Sequence, residues 1–180
     1  LLNNTANITH DAGSSNWVEG LTSQELRDSQ IKDPNIGLVM YWLEHDYEPS
    51  RRQLLLTSPE TRALWSCRHQ LSISNGSLFY MWSEHPTLGT RPCIVVPQSL
   101  REQVLLGCHN SKSSGHLGID KTINRLKDKF YWYGMTRDSE IHVTGCKVCN
   151  KNKKCNRTPR AGQRLYHSGY PMERVHVDIM

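Results

Sequence analysis

The sequence has no apolar run long enough to cross a membrane. Its longest, IGLVMYWL (Ile36 to Leu43), is eight residues, against the roughly 18 that a spanning helix needs. No charged-then-apolar N-terminal segment of the secretion-signal kind is present, and the chain opens on Leu1 rather than Met. It also stops inside the apolar stretch VHVDIM, so it reads as a piece of something longer. No internal repeat is evident. An intracellular protein with no membrane partner is expected. The lack of a secretory leader also bears on the six cysteines, Cys67, Cys93, Cys108, Cys146, Cys149 and Cys155. Three disulfides are conceivable, but with two cysteines spaced as Cys-x-x-Cys the better expectation is metal ligation.

Acids are scarce where bases are dense. Residues 1–100 hold seven Lys/Arg against ten Asp/Glu, residues 101–164 hold fourteen against five, and residues 165–180 hold one against two. The net charge of +5 is therefore regional. Basic blocks of this kind attract polyanions, nucleic acid first among them; the plainer alternative is a solvated basic face. With 37% hydrophobic residues the chain has material for cores, although a sub-domain under about 60 residues is marginal without a staple.

The pattern along the chain predicts an α+β protein, mostly helical. Residues 1–20 are polar and aperiodic, a flexible lead-in. LTSQELRDSQIKD offers Thr22 or Ser23 as a helix cap and stops at Pro34. PNIGLVMYWLEHD puts Ile36, Val39, Met40 and Leu43 on one helical stripe. SPETRALWSC gives a third helix, with Ser58 as cap and Pro59 at its first position. The period then changes to two in QLSISNGSLFYMW, where Asn75-Gly76 marks a hairpin because both central turn residues need positive φ. A strand in RPCIVVP ends at Pro97. Helices are expected over Ser99 to Cys108, over GIDKTINRLKDKFYWYG on Ile119, Ile123, Leu126 and Phe130, and over MTRDSEIHVTGC. NKNKKCNRTPRAGQR, with six bases and no acids, reads as a linker or arm. PMERVHVDIM alternates like a first strand of another domain. Within FYWYGM, Phe130 to Met135, either a base-stacking surface or a small core is possible, and the continued stripe at Phe130 favours the core.

The chemistry lies in His109, His116, Cys146 and Cys149. Six residues separate the histidines, 29 lie between His116 and Cys146, and two lie between the cysteines. Zinc(II) prefers four ligands in a tetrahedron of thiolate and imidazole. Cys-x-x-Cys brings two sulfurs to one ion from a tight turn, and a loop between helices lets the histidines converge. Cys108 or Cys155 could substitute as a ligand. The other histidines, His10, His45, His69, His85, His142, His167 and His176, read as surface or satisfied core residues. Four ligands with no position left for water make a structural zinc site, which would supply the folding free energy that a helical unit of roughly 50 residues lacks.

CIVVPQSLREQVLLGCHNSKSSGHLGIDKTINRLKDKFYWYGMTRDSEIHVTGCKVCNKNK resembles the N-terminal zinc-binding region of integrases from gypsy-type LTR retrotransposons. The stretch from LTSQELRDSQIKDPNIGLVMYWLE through LWSCRHQLSISNGSLFYMW resembles the extension that precedes that domain, and PMERVHVDIM the start of the catalytic core. The likeness runs from about residue 17 to residue 180. It implies an extension domain over 21–96 with a β-hairpin, a zinc-stapled helical HHCC domain over 97–150, a basic linker over 151–170, and the beginning of an RNase H-like core over 171–180. In that family three carboxylates hold two divalent ions, Mg2+ in the full-length enzyme, that activate the attacking hydroxyl and stabilise the leaving oxygen. Asp178 matches the first carboxylate, the plainer reading being an ordinary strand residue. One carboxylate cannot clamp two cations, so this segment alone is not expected to catalyse strand transfer.

The resemblance thus implies the N-terminal part of a retrotransposon-type integrase, acting in the nucleus, whose zinc-stabilised module binds DNA and helps assemble a homo-multimer. Lys147, Lys151, Lys153, Lys154, Arg157 and Arg160 are the candidate phosphate contacts. The rival is a domesticated, non-catalytic zinc module that binds a protein partner or DNA.

Overall fold

The structure, a computed structural model, describes residues 22–83, 89–112, 114–152, 169–173, 175, 177 and 178. The first helix, α1 (Ser23–Lys32), starts in a capping box: the Thr22 hydroxyl accepts the Glu25 N–H at 3.2 Å and the Glu25 carboxylate accepts the Thr22 N–H at 2.8 Å. At its end the Asp33 carboxylate accepts the amides of Asn35 and Ile36 (2.9 and 3.1 Å) and so starts α2 (Ile36–Glu44). A short α3 (Arg51–Leu56), which the periodicity did not suggest, begins in a second capping box made by Ser50 and Gln53. Ser58 caps α4 (Pro59–Ser66), with Pro59 at the first turn as its pre-set φ favours.

The sheet is built of β1 (Leu71–Ser74), β2 (Ser77–Ser83), β3 (Thr90–Val95) and a two-residue β4 (Phe130–Tyr131), in that spatial order. The β1–β2 turn has Asn75 at φ 50° and Gly76 at φ 73°, the double positive φ that the Asn-Gly pair predicts. The β2–β3 pair is antiparallel; β3–β4 is parallel, with Ile94 opposite Phe130 and Val95 opposite Tyr131. Four further helices follow β3 in the chain: α5 (Gln98–His109), α6 (Ile119–Lys127), α7 (Met135–Gly145) and α8 (Lys147–Asn152). No helix among the described residues is long and apolar enough to cross a membrane.

Successive strand residues face opposite sides of a sheet, and β3 and β4 use this to separate two cores. Val95 and Tyr131 join Ile36, Val39, Met40, Trp42, Leu64 and Leu78 on one side. Ile94 and Phe130 join Val96, Val104, Leu105, Leu126, Trp132 and Met135 on the other. Where β2 and β3 diverge, the fully buried Gln30 of α1 stands in for a strand. Its amide donates to the carbonyls of Leu78 (3.0 Å) and Val95 (2.7 Å), and its oxygen accepts the Leu78 N–H (2.8 Å).

Two expectations change. The helix expected to run through Phe130 ends at Lys127, and Phe130 is a strand residue. The β3 edge supplies what a further helical turn would have to replace: Ile94 donates to Lys129 O (2.8 Å) and Val96 to Tyr131 O (2.9 Å). Phe130 reaches the core by either geometry, so its apolar spacing did not discriminate. The tail expected as a strand shows turn at 171–173 and irregular backbone at 175, 177 and 178. Val175 and Val177 are exposed, and no strand among the described residues pairs with them.

Polar contacts also cross the expected border at residue 96. The second Asp33 oxygen accepts the Gln98 N–H (2.8 Å), and Arg101 of α5 pairs with Glu60 of α4 in a mostly buried ion pair.

Candidate metal centre

The fold delivers the four candidate ligands from four local structures. His109 is the last residue of α5, fully buried. His116 follows in the loop, where Gly115 and His116 both adopt left-handed backbone, φ 58° and 50°. That conformation is uncommon for a histidine, and it turns the chain back toward α5. The loop is braced by Ser114, whose hydroxyl donates to Gly107 O at 3.0 Å and whose amide donates to Ser111 O at 2.8 Å. Cys146 caps the C-terminus of α7 and Cys149 lies in the first turn of α8.

The ligand atoms of His109, His116, Cys146 and Cys149 all lie within 4.8 Å of one another. Cys146 Sγ is 3.4 Å from His116 Nδ1, and Cys149 Sγ is 3.3 Å from His109 Nε2. Zinc bonds of about 2.0–2.3 Å in a tetrahedron put neighbouring ligand atoms about 3.6 Å apart, so the donor set and spacing suit zinc. The imidazoles stand perpendicular, at 89° with centroids 5.1 Å apart.

The electrostatics point the same way. Burial, helped by the neighbouring rings of His116 and His142, pushes the His109 pKa down, favouring the neutral imidazole that binds metal. The Cys149 N–H aimed at the Cys146 sulfur pulls that thiol below its usual range, with a smaller pull from the Val148 amide and burial opposing. The thiolate is the ligating form.

The other candidates lie elsewhere. Cys108 is buried in the core beside Leu126, its thiol pushed up to about 11 by burial, and is not in the cluster. Cys155, Lys153, Lys154, Arg157 and Arg160 fall outside the described residues, as do His10, His85, His167 and His176. Lys147 and Lys151 are exposed on α8, and Asp178 is exposed in irregular backbone. His45 packs its ring at a tilt against Tyr41 at the surface and His69 is exposed. Of the aromatic stretch, Phe130 and Trp132 are core, while Tyr133 is exposed.

Two neighbours of the site escaped the sequence reading. His142, set aside as an ordinary histidine, stands edge-on to His109 at 5.6 Å and bonds Asn110 Oδ1 through Nε2 at 3.0 Å. Thr122, fully buried, lies 3.4 Å from His109 Nδ1 through its hydroxyl. Its signal was available: a hydroxyl residue on the apolar stripe of an otherwise amphipathic helix.

Residues 96–155 match the family model of the integrase zinc binding domain. The chain is similar to gypsy retrotransposon integrase-like protein 1 of Pongo abelii, 25% identical over 121 residues that make up 67% of this chain and 22% of that protein. The Homo sapiens protein of that name is 29% identical over 87 residues, 48% of this chain and 16% of the relative. The Mus musculus one is 30% identical over 87 residues, 48% and 17%. These matches span less than a quarter of the relatives' length. No solved structure matches the chain. Residues 96–155 thus resemble integrase zinc binding domains, and the likenesses support an N-terminal region of gypsy-integrase type.

Proposed function

We propose that the chain works as the N-terminal part of a retrotransposon-type integrase, a zinc-stabilised module that binds DNA and helps assemble the multimer in which DNA is integrated. The observation that carries this reading is the convergence of two imidazole nitrogens and two sulfurs inside a domain of integrase zinc-binding type. His109, His116, Cys146 and Cys149 would hold the ion with no position left for water, which makes it a structural staple. Lys147 and Lys151 open a basic run that continues with Lys153, Lys154, Arg157 and Arg160 and grips DNA phosphates. Asp178 is the first carboxylate of a triad whose other members come from outside these residues, so Mg2+ chemistry belongs to the full-length enzyme. The module acts in the nucleus, where its DNA target lies.

The test is DNA affinity of the whole chain across a salt series. Each phosphate contact contributes about 0.9 to the slope of log affinity against log salt. Replacing Lys151, Lys153 and Lys154 by Gln should flatten that slope by roughly 2–3; an unchanged slope removes the arm from the DNA contact. The exposed apolar side chains of Leu106, Ile141 and Val148 on the zinc-binding half support a second reading, a non-catalytic module that binds a protein partner. A chain with no salt-dependent DNA affinity would favour it.

A further inference from the structure

We infer that Thr122 is a positioning residue for the metal centre: its hydroxyl fixes which nitrogen of His109 faces the ion and ties that choice to the backbone that carries His116. The inference rests on the zinc reading above and goes one shell further out. Thr122 Oγ1 donates its proton to Leu117 O at 3.1 Å. A hydroxyl has one proton, so toward His109 Nδ1, 3.4 Å away, it offers lone pairs. A hydroxyl oxygen that presents only lone pairs to an imidazole nitrogen calls for the N–H there. Nδ1 therefore carries the hydrogen, and Nε2, 3.3 Å from Cys149 Sγ, keeps the lone pair for the metal.

The same hydroxyl reaches the second histidine through the backbone. Leu117 directly follows His116, whose left-handed φ of 50° aims Nδ1 at Cys146. Holding the Leu117 carbonyl against α6 holds that turn. Thr122 thus links both histidines to one helix, and both His109 and Thr122 are fully buried, so water has no access to substitute for the bond.

The experiment compares Thr122→Val, which keeps the shape and loses the hydroxyl, with Thr122→Ser, which keeps the hydroxyl. Zinc affinity is read by chelator competition, the ligand field by the absorption bands of the cobalt(II)-loaded chain, and the His109 tautomer by long-range nitrogen–proton NMR of the zinc-loaded wild type. Outer-shell partners of metal-bound histidines are typically worth about 10–100-fold in affinity. Thr122→Val should lose affinity in that range and shift the cobalt bands, while Thr122→Ser stays within about 3-fold of wild type and keeps its bands, well short of that loss. NMR should show His109 protonated at Nδ1 and metal-bound through Nε2. Equal affinity of wild type and Thr122→Val, or a His109 bound through Nδ1, overturns the inference and leaves the zinc reading standing. A wild-type chain that takes up no zinc overturns both.

Discussion

Helices α3 and α8 are each six residues long, and neither contains a buried residue. Isolated helices this short are unstable in water, so each needs an outside hold. Polar bonds at both ends secure α3. Ser50 and Gln53 close its first turn, Gln53 also donates to the Tyr47 hydroxyl (2.7 Å), and Arg62 donates to Leu55 O and Thr57 O at its C-terminal end. By contrast, α8 is joined to α7 by Asn150, which donates to Thr144 O (2.8 Å), and carries Cys149 into the metal cluster. The comparison shows what the staple is for. Both sides of the sheet have a packed core; a zinc ion at the cluster would hold the parts of the second side that the core does not reach, α8 and the reversed loop at Gly115 and His116.

The strongest way to break the comparison is to remove the metal. Structural zinc in small domains binds with about 10–16 kcal/mol, so chelation or Cys149→Ser should have the largest effect of any single change. Hydrogen exchange should show α8 and the 107–118 loop losing protection while α3 and α4 keep theirs. Ile94 and Val96 donate to Lys129 O and Tyr131 O, the first just before β4 and the second in it, so their amides report whether the loss spreads into the sheet and are expected to lose protection. The Leu78 amide, bonded to Gln30, is expected to keep it. Equal loss at Leu78 would mean that the two sides fold as one unit and that the contrast between α3 and α8 is only local.

What could be read from the sequence followed the range of the interaction. The Thr22 cap, the Asn75-Gly76 turn and the Cys-x-x-Cys pair are settled within four residues, and each stood in the pattern. The histidines were legible because their residue types and the loop between them fit a known ligand chemistry. The β4 strand was not, because two residues become a strand only where an edge 36 residues upstream receives them. Nor were the Asp33 to Gln98 and Gln30 to Val95 bonds, each spanning 65 residues. α3 lies between these cases: Ser50 and Gln53 spelled its capping box, but the consecutive Leu54, Leu55 and Leu56 show no helical period, and Leu55 and Leu56 are exposed.

A matched pair of core truncations sharpens the division. Leu126, fully buried in the zinc-side core, and Leu64, 1% exposed in the other, should each cost about 2–5 kcal/mol when changed to Ala, measured by denaturant unfolding in saturating zinc. Only Leu126→Ala should also weaken zinc retention against a chelator, because α6 carries both Leu126 and the Thr122 that supports His109. Equal loss of zinc in Leu64→Ala would show that the sheet transmits strain from one core to the other.

The smallest expected effect tests α3 on its own terms. Ser50→Ala removes the acceptor of the Gln53 N–H and the donor to its side chain, a capping loss of about 1 kcal/mol. Because α3 buries no residue, the loss should appear as local fraying, with faster exchange at Gln53 and Leu54, rather than as a shift of the whole unfolding transition. Arg62 still holds the far end of the helix, so the fraying should run from Ser50 inward and stop before Leu56. Zinc affinity should be unchanged, since α3 supplies none of the four ligands. If Ser50→Ala instead lowers global stability as much as Leu64→Ala, then α3 is part of the cooperative core despite its exposure, and α8 alone is the peripheral helix.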